Sequence, residues 1–96
     1  MLTWVIYDIV KDKPRGKVAK ACLRTGLYRV QKSVFLGTLN PNEQDELTVM
    51  LEELIDDETD SVYVFPMCRP DFDKCRLLGQ AFDENLVTDQ IRELFV

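Results

Sequence analysis

Asp8 is a carboxylate set near the end of the run Trp4-Val5-Ile6-Tyr7-Asp8-Ile9-Val10, where every other residue is apolar or aromatic. Such a run reads as a buried strand, and a charge in it needs a partner, a metal or water at the strand end. Two readings follow. Either Asp8 binds a backbone amide of the turn after the strand, or its carboxylate is kept free for chemistry. The chain has no histidine, which removes Ser-His and Cys-His nucleophile schemes, the commonest general base and every zinc site built on imidazole. What remains for catalysis is carboxylates, hydroxyls and a metal. A metal held by oxygen favours magnesium or manganese, ions that keep several waters and need only one or two protein carboxylates.

Charge is divided unevenly along the chain. The net charge is −5. Residues 1–37 carry eight basic residues (Lys11, Lys13, Arg15, Lys17, Lys20, Arg24, Arg29 and Lys32) against Asp8 and Asp12, a net +6, while residues 38–96 carry four basic and fifteen acidic residues, a net −11. An acidic chain with a basic first third either neutralises itself in the fold or offers one face to a polyanion.

The elements that must position these residues alternate. A strand over about Leu2 to Val10 leads to a helix over about Pro14 to Thr25, with Asp12 as its cap, Pro14 in the first turn and Gly26 ending it. Val18, Ala21, Cys22 and Thr25 form its apolar stripe. Leu27 to Leu36 reads as one strand, with Tyr28, Val30, Lys32, Val34 and Leu36 on one face and Arg29, Gln31, Ser33 and Phe35 on the other. That mixed second face suggests an interface or a site. Asn40-Pro41-Asn42-Glu43 is a capping box, and Leu47, Met50, Leu51, Leu54 and Ile55 follow at core spacing. Asp60 to Met67 gives a third strand, and a weaker fourth lies around Cys75 to Gln80.

At 96 residues and 46% hydrophobic content, one domain is expected. No apolar stretch approaches the roughly 20 residues of a membrane span and no secretory leader is evident, so a cytoplasmic location is expected. Cys22, Cys68 and Cys75 fit no zinc spacing and are expected to be reduced.

Several of these residues fall together in a pattern that resembles the CRISPR-associated protein 2 family, the small subunit of the spacer-acquisition machinery. The pattern is Tyr7-Asp8-Ile9 ending the first strand, Arg15 and Lys17-Val18 opening the helix, Gly26, then Arg29-Val30-Gln31-Lys32-Ser33-Val34-Phe35 with Gly37, then Asp60-Ser61-Val62 and Leu78-Gly79. The resemblance covers most of residues 1–82. It implies an α+β, ferredoxin-like βαββαβ fold with two helices on one sheet face, a break within residues 27–39, and a homodimer formed through the other face. It also implies metal-dependent endonuclease activity on RNA or DNA, with Asp8 as catalytic and metal-coordinating acid and Mg2+ or Mn2+ as cofactor. Tyr7, Arg15, Arg29, Ser33 and Phe35 would support the site, Phe35 chiefly by packing the interface. Lys11, Lys13, Arg15, Lys17 and Lys20 would meet nucleic acid, Lys17 standing where some members have arginine and lacking its fork. The alternative within the family is a non-catalytic dimeric scaffold holding duplex DNA between subunits of the CRISPR-associated protein 1 integrase. Residues 83–96 depart from the pattern and are expected to pair with the partner protomer or dock on the integrase.

Overall fold

A computed structural model describes residues 1–83. Its central strand, β1 (Leu2–Asp8), is buried along nearly its whole length and lies antiparallel to two neighbours, as expected for an apolar, β-branched segment. The chain continues through α1 (Asp12–Arg24), β2 (Tyr28–Gln31), β3 (Val34–Thr38), α2 (Pro41–Leu54), β4 (Ser61–Met67), the short α3 (Arg69–Asp73) and a 3-10 turn at Gly79–Ala81. The sheet order is β2-β3-β1-β4, so the fold is the ferredoxin-like βαββαβ arrangement.

Residues 27–36 therefore make two strands, with a tight turn at Lys32 and Ser33 that no glycine or proline announces. Side chains hold it instead. The Lys32 carbonyl accepts from the Tyr7 hydroxyl at 3.3 Å and from Arg29 Nε at 3.1 Å and Nη2 at 2.6 Å, and the Lys32 N–H donates to Gln31 Oε1 at 2.8 Å. An irregularity between Arg29 and Gln31 also breaks the simple alternation.

Other expectations are corrected. β1 stops at Asp8, not Val10. Lys11 occupies the α1 cap position without a side-chain bond, and Asp12 is the first helical residue, paired with Arg15. Residues 75–80 form no strand. Met50 is exposed rather than core. The Asn40–Glu43 capping box forms in full, with Glu43 N–H to Asn40 Oδ1 at 2.8 Å and Asn40 N–H to Glu43 Oε1 at 3.0 Å. Two glycines have clear causes: Gly26 ends α1 at φ 97°, and a Cβ on Gly37 would lie 2.9 Å from Leu27 Cδ2.

Strand alternation divides the core. Val5, Tyr7 and Phe35 face the helices and pack with Val18, Cys22, Leu47 and Leu51. Leu2, Trp4 and Leu36 face the other way, where Phe72 of α3 caps them with its ring centroid 6.0 Å from that of Trp4. This second face is only partly covered, leaving Tyr63 at 51% and Phe65 at 46% exposure. The main chain of Asp83 still touches β2, its N–H donating to the Val30 carbonyl at 2.8 Å. The rest of the expected 83–96 segment lies outside the described residues.

Candidate functional site

Asp8 is the last residue of the central strand and is exposed, with Ser61 as its register partner on β4. By alternation it belongs to the face of Trp4 and Ile6, opposite the helices. Its carboxylate forms no hydrogen bond or ion pair with any other described residue, so the turn-capping reading of Asp8 is not what the fold adopts. Another acid takes that role. Asp60 Oδ1 accepts the Val10 N–H at 3.0 Å and Oδ2 accepts the Asp56 N–H at 3.0 Å, while the Thr59 hydroxyl lies 3.2 Å from Oδ1. The Asp56 and Val10 amides hold the Asp60 carboxyl below the usual carboxylate range.

On the other side of Asp8, Arg15 Nη1 donates to the Ile9 carbonyl at 3.3 Å while Nη2 pairs with Asp12. The two residues after Asp8 are thus fixed by side chains from α1 and from the α2–β4 loop just before β4. In the sequence Asp60 opens the third strand and belongs to the Asp60-Ser61-Val62 part of the family pattern, but nothing in its local spacing shows that it reaches a loop fifty residues earlier.

The supporting residues divide into two groups. Tyr7 and Phe35 lie inside the core with ring centroids 6.2 Å apart, and the Arg29 guanidinium sits 5.4 Å from the Phe35 centroid. Burial raises the Tyr7 phenol above its ordinary pKa, outweighing the pull of Arg29. Phe35 is fully buried within its own chain, so it is not available to anchor an interface. The expectation came with the family resemblance and with the frequency of aromatic anchors at interfaces; the fold instead places Phe35 among the residues packed under α1 and α2.

Arg15, Arg29 and Ser33 join Lys20 and Lys32 around a groove of about 840 Å³ between α1 and the β2–β3 turn, with Asp12 and Asp83 also on its walls. Asp8 does not line it. Lys13, Lys17, Lys20 and Arg24, all exposed, recur at helical spacing along one face of α1 over about 16 Å. Lys17, Lys20 and Arg24 border a smaller groove, of about 330 Å³, against Met50 and Leu54 of α2. Lys20 therefore joins two basic surfaces. Lys32 and Arg24 share these basic surfaces, whereas exposed Lys11 stands apart at the start of the helix.

No group of three or more Cys, Asp or Glu side chains gathers for a metal among the described residues. Uncommitted to any of the other described residues, the Asp8 carboxylate offers a hard oxygen donor. That suits a cation that keeps most of its water and needs only one or two protein carboxylates.

The profile of the CRISPR associated protein Cas2 family matches residues 1–75. This chain belongs to the Cas2 family. The CRISPR-associated endoribonuclease Cas2 1 of Archaeoglobus fulgidus is 39% identical over 69 residues, covering 72% of this chain and 73% of the relative. The CRISPR-associated endoribonuclease Cas2 of Desulforudis audaxviator is 42% identical over 71 residues, covering 74% and 67%. The crystal structure of Streptococcus pyogenes Cas2 at pH 6.5 superposes with a TM-score of 0.64 at 31% identity, covering 82% of this chain and all of that one. The Streptococcus pyogenes structure shares the ferredoxin-like fold with this Cas2 protein. No helix among its described residues is long and apolar enough to cross a membrane.

Proposed function

We propose that this Cas2 protein is a divalent-metal-dependent endonuclease that cleaves phosphodiester bonds as a homodimer within CRISPR adaptation, single-stranded RNA being the first substrate to examine. The observation that carries the reading is the uncommitted Asp8 carboxylate, exposed at the end of the central strand while its following loop is held on both sides. The relatives named endoribonucleases support the substrate class. Exposed Tyr63 and Phe65 on the face away from the helices support pairing of two copies through that face. Such a dimer would join two Asp8 carboxylates near its axis, adding the partner's Asp8 to that of each chain.

Asp8 would hold Mg2+, or Mn2+ in its place, and the ion supplies charge neutralisation at the phosphate and a lower pKa for the attacking water. Water adds to phosphorus, the bond to the leaving oxygen breaks, and a proton passes to that oxygen. Arg15 and Arg29 already spend donors on the Ile9 and Lys32 carbonyls, so they fix the loop and turn beside the nucleic acid as well as adding positive charge.

One observation favours the scaffold reading as well. The basic face of α1 lies with the helices, whereas Asp8 belongs to the opposite sheet face, so phosphate binding does not require Asp8. On that reading the dimer bridges duplex DNA between integrase subunits without cutting it.

Wild type and Asp8→Asn are compared on labelled single-stranded RNA and duplex DNA, with Mg2+, Mn2+ and chelator. Cleavage that requires both metal and Asp8 supports the nuclease and names its polymer. Equal cleavage by both proteins, or none, removes Asp8 catalysis and leaves the scaffold.

A further inference from the structure

We propose that Asp60 is a positioning residue for Asp8. The inference rests on the reading of Asp8 as the metal-holding acid and goes beyond it by assigning what keeps that acid in place.

The Asp8–Ser61 pair is the last rung between β1 and β4, and the ladder gives no support beyond it. The next tie across the two chain segments is the Asp60 carboxylate. Its Oδ1 holds the Val10 N–H and its Oδ2 holds the Asp56 N–H, both at 3.0 Å, so one side chain clamps the β1–α1 loop to the α2–β4 loop. The Asp60 end of the clamp is itself rigid. The Thr59 and Asp60 amides both donate to the Asp56 carbonyl, at 3.2 and 2.8 Å, closing residues 56–60 into a compact turn. Arg15 fixes Ile9 from the helix side. Asp8 therefore sits between a ladder rung and two restrained residues, and a carboxylate that must meet a metal and a phosphate gains from being held before they arrive.

The chemistry of the clamp calls for a carboxylate. Both oxygens accept from backbone N–H groups of different loops, and asparagine can satisfy only one of them, turning an N–H donor toward the other. A serine is too short to span both.

The test uses the full chain, with Asp60→Asn and Asp60→Ser beside wild type, each checked for folding by circular dichroism. The first measurement needs no variant: the wild-type Val10 amide should exchange with solvent slowly, and exchange at the rate of a free peptide would overturn the proposal. The second reads metal at Asp8 without turnover, from Mn2+ broadening of the amide resonances around it. Several-fold weaker Mn2+ binding in Asp60→Asn is expected, and unchanged binding would overturn the proposal. In cleavage, kcat should fall on the order of tenfold with KM for RNA within about twofold, measured well below the melting temperature of each variant. A stabilising role alone would lower the melting temperature and leave kcat and metal binding at wild-type values. If wild type cleaves nothing, the nuclease reading fails by itself, and the Mn2+ and exchange measurements still decide whether Asp60 holds the loop of Asp8.

Discussion

Arg29 reaches over the β2–β3 turn and gives two hydrogen bonds to the main-chain carbonyl of Lys32, three residues on in its own chain. The Tyr7 hydroxyl donates to the same oxygen from the central strand. Two residues expected to serve the site thus build the turn that shapes the basic groove. Hydrogen bonds from charged donors contribute more than neutral ones, so Arg29→Ala should lower stability by about 1–3 kcal/mol and Tyr7→Phe by about 0.5–1.5 kcal/mol. Arg29→Lys should recover only part of the loss, because an ammonium lacks the guanidinium fork. Urea unfolding followed by circular dichroism gives all three values.

Phe35 is a core residue with no exposure, whereas Tyr63 and Phe65 lie open on the other sheet face. Phe35→Ala should cost about 3–5 kcal/mol of folding stability, as for other buried aromatic truncations. Tyr63→Ser with Phe65→Ser should shift a dimer to monomer in sedimentation while the monomer stays folded. A Phe35→Ala protein that melts like wild type but no longer dimerises would reverse this assignment.

Cys22 is fully buried and its thiol is pushed up to about 12 by burial, while Cys68 is exposed and Cys75 is half-buried. At pH 8 a thiol reagent should modify Cys68 rapidly, Cys75 more slowly and Cys22 only after unfolding. The linkage has a definite sign. The folded pKa lies above the ordinary 9.0, so this contribution to stability is fully present below pH 9.0 and is lost as pH rises toward about 12. Cys22→Ala should flatten the alkaline side of the stability profile, read by chemical denaturation at stepped pH.

Lys13, Lys17, Lys20 and Arg24 share one exposed face of α1, so nucleic-acid affinity should fall steeply with salt. Lys17→Ala and Lys20→Ala should each weaken binding for all sequences and reduce the slope of log affinity against log salt by about one. Asp8→Asn should bind at least as well as wild type, since an anion near phosphate is removed. Fluorescence anisotropy in chelator measures this without cleavage.

The first strand, the capping box and the charge asymmetry were legible because each depends on residues close in sequence. Asn40 and Glu43 lie three apart and bond within one turn, so their types and spacing state the structure. The turn at Lys32 and Ser33 was not legible from composition, since its support comes from Tyr7, Arg29 and Gln31 rather than from glycine. Family resemblance supplied the break, and the side chains explain it. Asp60 escaped for the same reason as the turn: its partner Val10 is fifty residues away. Met50 shows the limit of periodicity, because helical spacing marks a stripe wider than the one α1 and the sheet cover.

The central claim is that Asp8 from two copies acts at one shared site. The direct measurement is RNA cleavage by a purified heterodimer carrying one wild-type and one Asp8→Asn protomer, isolated with two different tags and compared with both homodimers in Mg2+. A rate far below half that of the wild-type dimer, with no cleavage by the Asp8→Asn homodimer, is the predicted result. A heterodimer at half the wild-type rate would mean that each protomer works without its partner's Asp8, and would contradict the shared site.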